Sequence, residues 1–269
     1  MKGIEQVDLV RTLKYYENSQ KCIWHTIKHS NKGVRFMNIH LIKAFSDNYI
    51  WIIEEGIEAV VVDPGEAEHV MDYLEGKQLH LNSILLTHNH DDHIGGVQQI
   101  LETYPDISIY GPKETEPLAD HIVEEGDSFH LLGKNFQVLK TAGHTYGHIS
   151  FLTKEALFCG DALFSAGCGR VFTKDYQAQY DALQKFNQLD DGVQVYAAHE
   201  YTQTNLRFAH SIQPSNILIS EALDEVNDLR VKGQPSLPTT IGREKEINLF
   251  LQAEKMKDFK ELRKARDDF

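Results

Sequence analysis

The run Thr87-His88-Asn89-His90-Asp91-Asp92-His93 places three histidines and two aspartates within six residues, directly after the apolar stretch Ser83-Ile84-Leu85-Leu86. That stretch is too short for a helix and is β-compatible, so the cluster is predicted at the end of a buried strand. A strand end is rigid, and the loop leaving it exposes side chains at the rim of a sheet, where open α/β sheets bind ligands. Imidazoles and carboxylates in such a place are ligands for borderline divalent cations. His88 and His90 can point to one side of the loop while the adjacent Asp92 and His93 aim elsewhere. That spacing suits two neighbouring metals better than one. A polar turn that is merely rich in histidine would not account for the strand before it.

Three more ligand-type residues follow strand candidates: His144 after the segment 136–140, Asp161 after Phe158-Cys159-Gly160, and His199 after Val195-Tyr196-Ala197-Ala198. The residues of the cluster and these three are therefore the candidate metal ligands. A carboxylate such as Asp161 can bridge two cations together with a water, whose pKa then falls towards neutrality. His148 begins a strand instead of ending one, so its role stays open. His69, His80, His121, His130 and His210 stand apart from any cluster and are expected to be ordinary surface or core residues.

The rest of the chain frames these residues. Short apolar runs closed by turns (39–45, 49–54, 59–62, 107–110, 136–140, 149–152, 156–159) read as strands, with helical spacing at 67–74 and 96–104. From about residue 176 the pattern is mainly helical (176–189, 204–212, 216–231, 257–267), apart from a returning strand at 193–197. The segment Gly233-Gln234-Pro235-Ser236-Leu237-Pro238 breaks the helices as a stiff connector. Residues 1–36 are polar and basic, without a clear amphipathic face, and are expected to form a poorly ordered extension. A targeting segment and translation from upstream of Met37 are the other readings. The expected division is an extension over 1–36, a metal-binding domain over 37–198 and a helical substrate-binding domain over 199–269.

Composition excludes several classes. The formal net charge is −13, which argues against broad affinity for nucleic acid or anionic lipid. No run approaches the length of a membrane span, and Lys2, Glu5, Asp8 and Arg11 stand where a signal peptide needs apolar residues. Cys22, Cys159 and Cys168 form no C-x-x-C pair and no disulfide framework, which fits a reducing compartment. A cytoplasmic, monomeric protein is expected. Cys159 is expected to pack in the core and Cys168 to sit in a tight turn.

Taken together, the 87–93 signature, Gly143-His144-Thr145-Tyr146-Gly147-His148, Gly160-Asp161-Ala162-Leu163-Phe164, Gly167-Cys168-Gly169-Arg170, His199-Glu200-Tyr201 and the ending Arg263-Lys264-Ala265-Arg266-Asp267-Asp268-Phe269 resemble the glyoxalase II family of the metallo-β-lactamase superfamily. The resemblance runs from residue 37 to 269. It implies an α+β protein, a four-layer αββα sandwich with a helical C-terminal subdomain. It also implies hydrolysis of S-D-lactoylglutathione and related S-acylglutathiones to glutathione and D-lactate, the second step of methylglyoxal detoxification. Carried onto this chain, one metal would be held by His88, His90 and His144, the other by Asp92, His93 and His199, with Asp161 between them.

The same resemblance implies that Asp92 and Asp161 are catalytic, a hydroxide bridging the metals being the nucleophile. It assigns the glutathione to Arg170, Phe172, Tyr201, Arg263 and Arg266, since arginine can fork onto each of its two carboxylates. Arg263 and Arg266 lie in a charged run that, by itself, reads as a solvated helix face. Phe172 stands where the family usually has a tyrosine, which implies one hydroxyl contact fewer. Ala142 replaces a common proline, and Arg170 and Arg266 match lysine in some relatives. The expected cofactors are two divalent ions, zinc first, with iron and manganese also compatible with such ligands. The alternatives are a mononuclear-iron persulfide dioxygenase and another hydrolase of the same fold.

Overall fold

A computed structural model describes residues 37–269, and the expected extension over 1–36, with Cys22, lies outside the described residues. Two mixed six-stranded sheets form the centre. The first contains β1 (Asn38–Ala44), β2 (Asn48–Glu55), β3 (Glu58–Val62), β4 (His80–Leu85), β5 (Ser108–Gly111) and β6 (His121–Ile122), in sequence order. The second contains β7 (Ser128–Leu131), β8 (Lys134–Lys140), β9 (Ile149–Leu152), β10 (Ala156–Gly160), β11 (Gln194–Ala197) and β12 (Thr239–Thr240), again side by side in order.

Alternation along the strands explains the layers. Trp51, Ile53, Val60 and Val62 enter one apolar cluster with Phe136, Val138 and Phe151 of the second sheet. Their neighbours Ile50, Ile52, Ala59 and Val61 point the other way, into a cluster with α1 (Glu68–Lys77) and α3 (Val97–Thr103). Because side chains alternate faces with period two, a strand covered on both sides must be apolar throughout. That is the pattern of Ala59-Val60-Val61-Val62. On the far side of the second sheet lies α4 (Tyr176–Asn187), which sends Leu183 and Phe186 into the core. The order helix, sheet, sheet, helix is the αββα sandwich that the resemblance implies, and the class is α+β.

The remaining helices follow: α5 (Thr202–Ile212), α6 (Ile217–Val231), α7 (Ile241–Ile247), α8 (Leu249–Gln252) and α9 (Met256–Asp267), the longer ones close to their expected bounds. Leu206, Ala209, Ile219, Val226, Ile247 and Leu249 form a third apolar cluster among them. No described helix is long and apolar enough to cross a membrane.

The two sheets are tied at one rim. Tyr49 N donates to Ala198 O at 2.7 Å and the Trp51 indole to Ala197 O at 3.0 Å. The loops after β3, β4, β8, β10 and β11 all reach this rim, and they carry Asp63, the 87–93 cluster, His144, Asp161 and His199.

Candidate metal centre

The cluster divides because its backbone changes state within it. His90 is extended, with φ −72° and ψ 144°, and it starts the four-residue helix α2 (Asp91–Ile94). His88 and His90 thus leave an extended segment while Asp92 and His93 leave a helical turn. The expected divergence is present, produced by this helix start and not by a loop alone.

The ring hydrogens can be assigned from partners whose roles are fixed. The carboxylate of Asp63 accepts from Thr87 N at 2.8 Å and from Thr87 Oγ1 at 2.7 Å. With its only proton given to Asp63, Thr87 Oγ1 must accept from His88 Nδ1, 3.0 Å away. His93 Nδ1 donates to Asp63 Oδ2 at 3.0 Å, His144 Nδ1 to Arg170 O at 2.9 Å, and His199 Nδ1 to Asp47 Oδ1 at 2.9 Å. In their neutral forms all four rings would therefore present a bare Nε2 to the centre.

These atoms gather into two groups. His90 Nδ1 lies 3.1 Å from His88 Nε2 and 3.0 Å from His144 Nε2. Nitrogens held tetrahedrally at ~2.05 Å from a zinc ion would be separated by about 3.3 Å. The second group joins Asp92 Oδ2 with His93 Nε2 at 3.6 Å and His199 Nε2 at 3.4 Å. Asp161 spans both: Oδ2 is 3.3 Å from His144 Nε2, and Oδ1 is 3.3 Å from His93 Nε2 and from His199 Nε2. Asn48 Nδ2 donates to Asp92 Oδ2 at 2.9 Å, fixing a candidate ligand that is half exposed.

The donor set fits divalent cations on a specific ground. His93 Nε2 and Asp161 Oδ1 are buried without a hydrogen-bond partner. Two lone pairs 3.3 Å apart repel each other unless a positive centre lies between them. The charge balance agrees. Burial opposes protonation of His93, but the nearby Asp161 carboxylate and the hydrogen bond to Asp63 outweigh it and push its pKa up to about 10. Burial likewise opposes charge on His199, and Asp161, Asp92 and Asp47 push its pKa up to about 11. The hydrogen bond from His199 holds Asp92 well below the usual carboxylate range. Burial alone would raise Asp161, yet His199 and His93 lower it strongly. Burial keeps His88 and His144 below the ordinary imidazole value.

Without metal, protons supply the missing positive charge. Protonated His93 and His199 stabilise the fold fully below the unfolded value of 6.5, and that contribution is lost as pH rises through about 10 and 11. Metal uptake at pH 7.5 should therefore expel about two protons, one from each ring. Calorimetric titration of the metal in buffers of different ionisation enthalpy would measure this, and heats independent of the buffer would contradict it.

Above the centre opens a cavity of about 530 Å³, lined by His90, Asp92, His144, Asp161 and His199 together with Arg170, Phe172, Tyr201, Arg263 and Arg266. All five residues that the resemblance assigned to glutathione thus border one cavity with the metal-ligand candidates; His88 and His93 lie buried beneath. The three arginines differ. Arg263 is buried, with Nη1 donating to Cys168 O at 2.8 Å and Nη2 to Asp267 Oδ1 at 3.0 Å. Arg170 is exposed and donates from Nε to the same Asp267 oxygen at 3.2 Å. Arg266 rests on Asn205 Oδ1 through Nε and Nη2. Phe172 lies edge-on to His144 and His90, its ring centre 5.2 and 5.7 Å from theirs. Tyr201 stacks on His199 at 4.8 Å.

Cys159 and Cys168 are buried, burial pushes both thiols up, and neither joins a metal-ligand group. His69, His80, His121, His130 and His210 join none either, and neither does His148. The residues missed in the sequence are Asp63, Asp47 and Asn48 in the shell behind the ligands. Asp63 carried a usable signal, since it follows the buried β3 just as Asp161 follows β10.

Residues 45–199 match the family model described as the metallo-beta-lactamase superfamily, and residues 200–269 match that of the hydroxyacylglutathione hydrolase C-terminus. The chain is 50% identical to the hydroxyacylglutathione hydrolase of Haemophilus ducreyi over 234 residues, covering 87% of this chain and 100% of that protein. It is 46% identical to the protein of the same name from Vibrio cholerae over 220 residues, 81% of this chain and 87% of that one. Among solved structures, ETHE1 from Myxococcus xanthus matches with a TM-score of 0.63 and 26% identity, over 81% of this chain and 86% of its own. The di-iron-bound form of TTHA1623 matches with a TM-score of 0.55 and 25% identity, over 76% and 94%.

Proposed function

Because the chain belongs to the hydroxyacylglutathione hydrolase family of the metallo-β-lactamase superfamily, we propose that it hydrolyses the thioester of S-D-lactoylglutathione and related S-acylglutathiones. The products are glutathione and the free acid, D-lactate for the first substrate, which places the reaction second in methylglyoxal detoxification. The observation that carries this reading is one cavity in which His90, Asp92, His144, Asp161 and His199 share a wall with three arginines and a tyrosine.

His88, His90 and His144 would hold one divalent ion and Asp92, His93 and His199 the other, with Asp161 shared between them. When bound, such ions provide a nucleophilic hydroxide at neutral pH and polarise the thioester carbonyl. Zinc is the proposed metal, because tetrahedral nitrogen and oxygen sets suit it; the di-iron state of TTHA1623 keeps iron as the alternative.

The protein's own contribution is orientation. Asp47, Asp63 and Arg170 O hold the imidazoles of His199, His93 and His144 in the tautomer that leaves Nε2 bare. Asn48 keeps Asp92 turned inward. Arg170 and Arg266 would take the glutathione carboxylates, with Tyr201 donating a hydroxyl and Phe172 giving an apolar face near the acyl group. Arg263 would brace that wall through Cys168 and Asp267. Glutathione leaves as a thiolate, so no acid has to protonate it first.

In this reading residues 37–198 form the metal-binding domain and 199–269 the substrate-binding domain. The protein would act as a cytoplasmic monomer. The persulfide dioxygenase alternative, with a single iron, leaves Asp92, His93, His199 and the C-terminal helices without a purpose.

The test is turnover of S-D-lactoylglutathione by zinc-loaded protein. Absence of thioesterase activity, alongside oxygen uptake with glutathione persulfide, would replace this reading by the alternative. Within it, Arg266→Met should raise KM by about tenfold, ~1.4 kcal/mol of binding, and leave kcat nearly unchanged. A fall in kcat at constant KM would instead assign Arg266 to the chemical step.

A further inference from the structure

His148 is fully buried and takes no part in the chemistry described above. Its Nε2 accepts the backbone N–H of Asp161 at 3.1 Å. A backbone amide can only donate, so Nε2 is bare and the ring hydrogen is on Nδ1. Nδ1 lies 2.9 Å from Thr141 Oγ1, which lies 2.9 Å from Ser150 Oγ. The ring therefore donates to Thr141, whose own proton is free for Ser150. All three side chains are buried, which gives the tautomer no alternative partner.

The surroundings are shaped for this contact. Gly160 has φ +46°, and a Cβ there would meet His148 Nε2 at 2.9 Å and Thr87 Oγ1 at 2.4 Å. Only a residue without a side chain lets the backbone bring the Asp161 amide onto the ring. The other face of His148 stacks on His88, ring centres 4.8 Å apart at 27°. One uncharged ring thus touches both the carboxylate residue shared by the two ligand groups and a ligand of the first.

We propose that His148, as the Nδ1-protonated tautomer, is a positioning residue that fixes the backbone of Asp161 and so aims its carboxylate at both metal-ligand groups. It acts through Asp161 and does not itself bind metal. The proposal rests on the reading of this centre as a two-metal site.

The decisive comparison is His148→Gln against His148→Asn in the full chain, with Zn²⁺ affinity measured by chelator competition and bound zinc counted. The glutamine amide oxygen reaches the place of Nε2 and can accept from Asp161; the asparagine amide reaches only the place of Nδ1. Both remove the imidazole and its stack on His88, and denaturant unfolding of the metal-free variants reports the extra packing loss of the shorter asparagine separately from zinc affinity. H148N should weaken zinc binding by about 10–100-fold, the scale of losing an outer-shell partner, while H148Q stays near wild type. Equal affinities for the two variants would overturn the proposal. Should neither variant fold, Thr141→Val, which removes the acceptor of Nδ1 and leaves Asp161 untouched, decides: weaker zinc binding supports the tautomer lock, and unchanged binding overturns it. A wild-type protein that binds no zinc, iron or manganese would instead refute the two-metal reading itself.

Discussion

Replacing Asp161 by alanine is expected to lower kcat on S-D-lactoylglutathione by about 10³-fold or more, the scale of losing a preorganised electrostatic group at the reacting centre. It should also deplete both metals. The Asp161 carboxylate lies between the two ligand groups, with Oδ2 3.3 Å from His144 Nε2 and Oδ1 3.3 Å from His93 Nε2 and His199 Nε2. Its charge is also the first attraction that raises the proton affinity of both His93 and His199 against their burial. Without it the centre loses a ligand on each side and much of its pull on cations. Asp92→Ala makes the contrast, because the candidate ligands that Asp92 contacts, His93 and His199, belong to the second group alone. That variant should keep roughly one metal per chain, on His88, His90 and His144. Metal content and initial rates measured together decide the matter. An Asp161→Ala protein with two metals and wild-type turnover would refute the bridging role.

The candidate ligands stood out in the sequence because each of their loops follows a strand: β10 and β11 are buried almost throughout and β4 over its last three residues, while β8 before His144 alternates. Ala59-Val60-Val61-Val62 and Ser83-Ile84-Leu85-Leu86 declare themselves by being apolar on both faces. The short elements did not. β12 is two residues long and exists through its pairing with β11, while α7 and α8 hold seven and four residues and bury single faces against neighbours far along the chain. The shell behind the ligands was equally hidden. Asp47 is 152 positions from His199, whose ring it orients, and Asn48 is 44 from Asp92. Which turn meets which ligand depends on how two sheets close on each other, and no local spacing reports that. Arg263 illustrates the same limit: in the sequence it belongs to a charged run, yet it is buried against Cys168 and Phe250. Helical position alone does not tell which charged residue of α9 faces inward.

Asp63→Ala should be the most damaging change outside the ligands, lowering zinc affinity by at least about 100-fold and the stability of the metal-free protein by roughly 2–4 kcal/mol. Its carboxylate is buried and accepts three hydrogen bonds, from Thr87 N, Thr87 Oγ1 and His93 Nδ1. Alanine leaves the buried Thr87 amide without its acceptor, a cost paid in stability. It also frees Thr87 Oγ1 to donate to His88 Nδ1, which favours the His88 tautomer with its proton on Nε2, where a metal would have to bind. His93 loses the partner that keeps its own Nε2 bare. One substitution thereby disturbs a ligand of each group without touching any ligand. Asp63→Asn separates the two effects: its amide oxygen can still accept from Thr87 N, so stability should recover more than zinc affinity does. Denaturant unfolding of metal-free protein and chelator competition measure the two quantities independently. Equal recovery of both would show that Asp63 serves the fold alone and has no part in setting the tautomers.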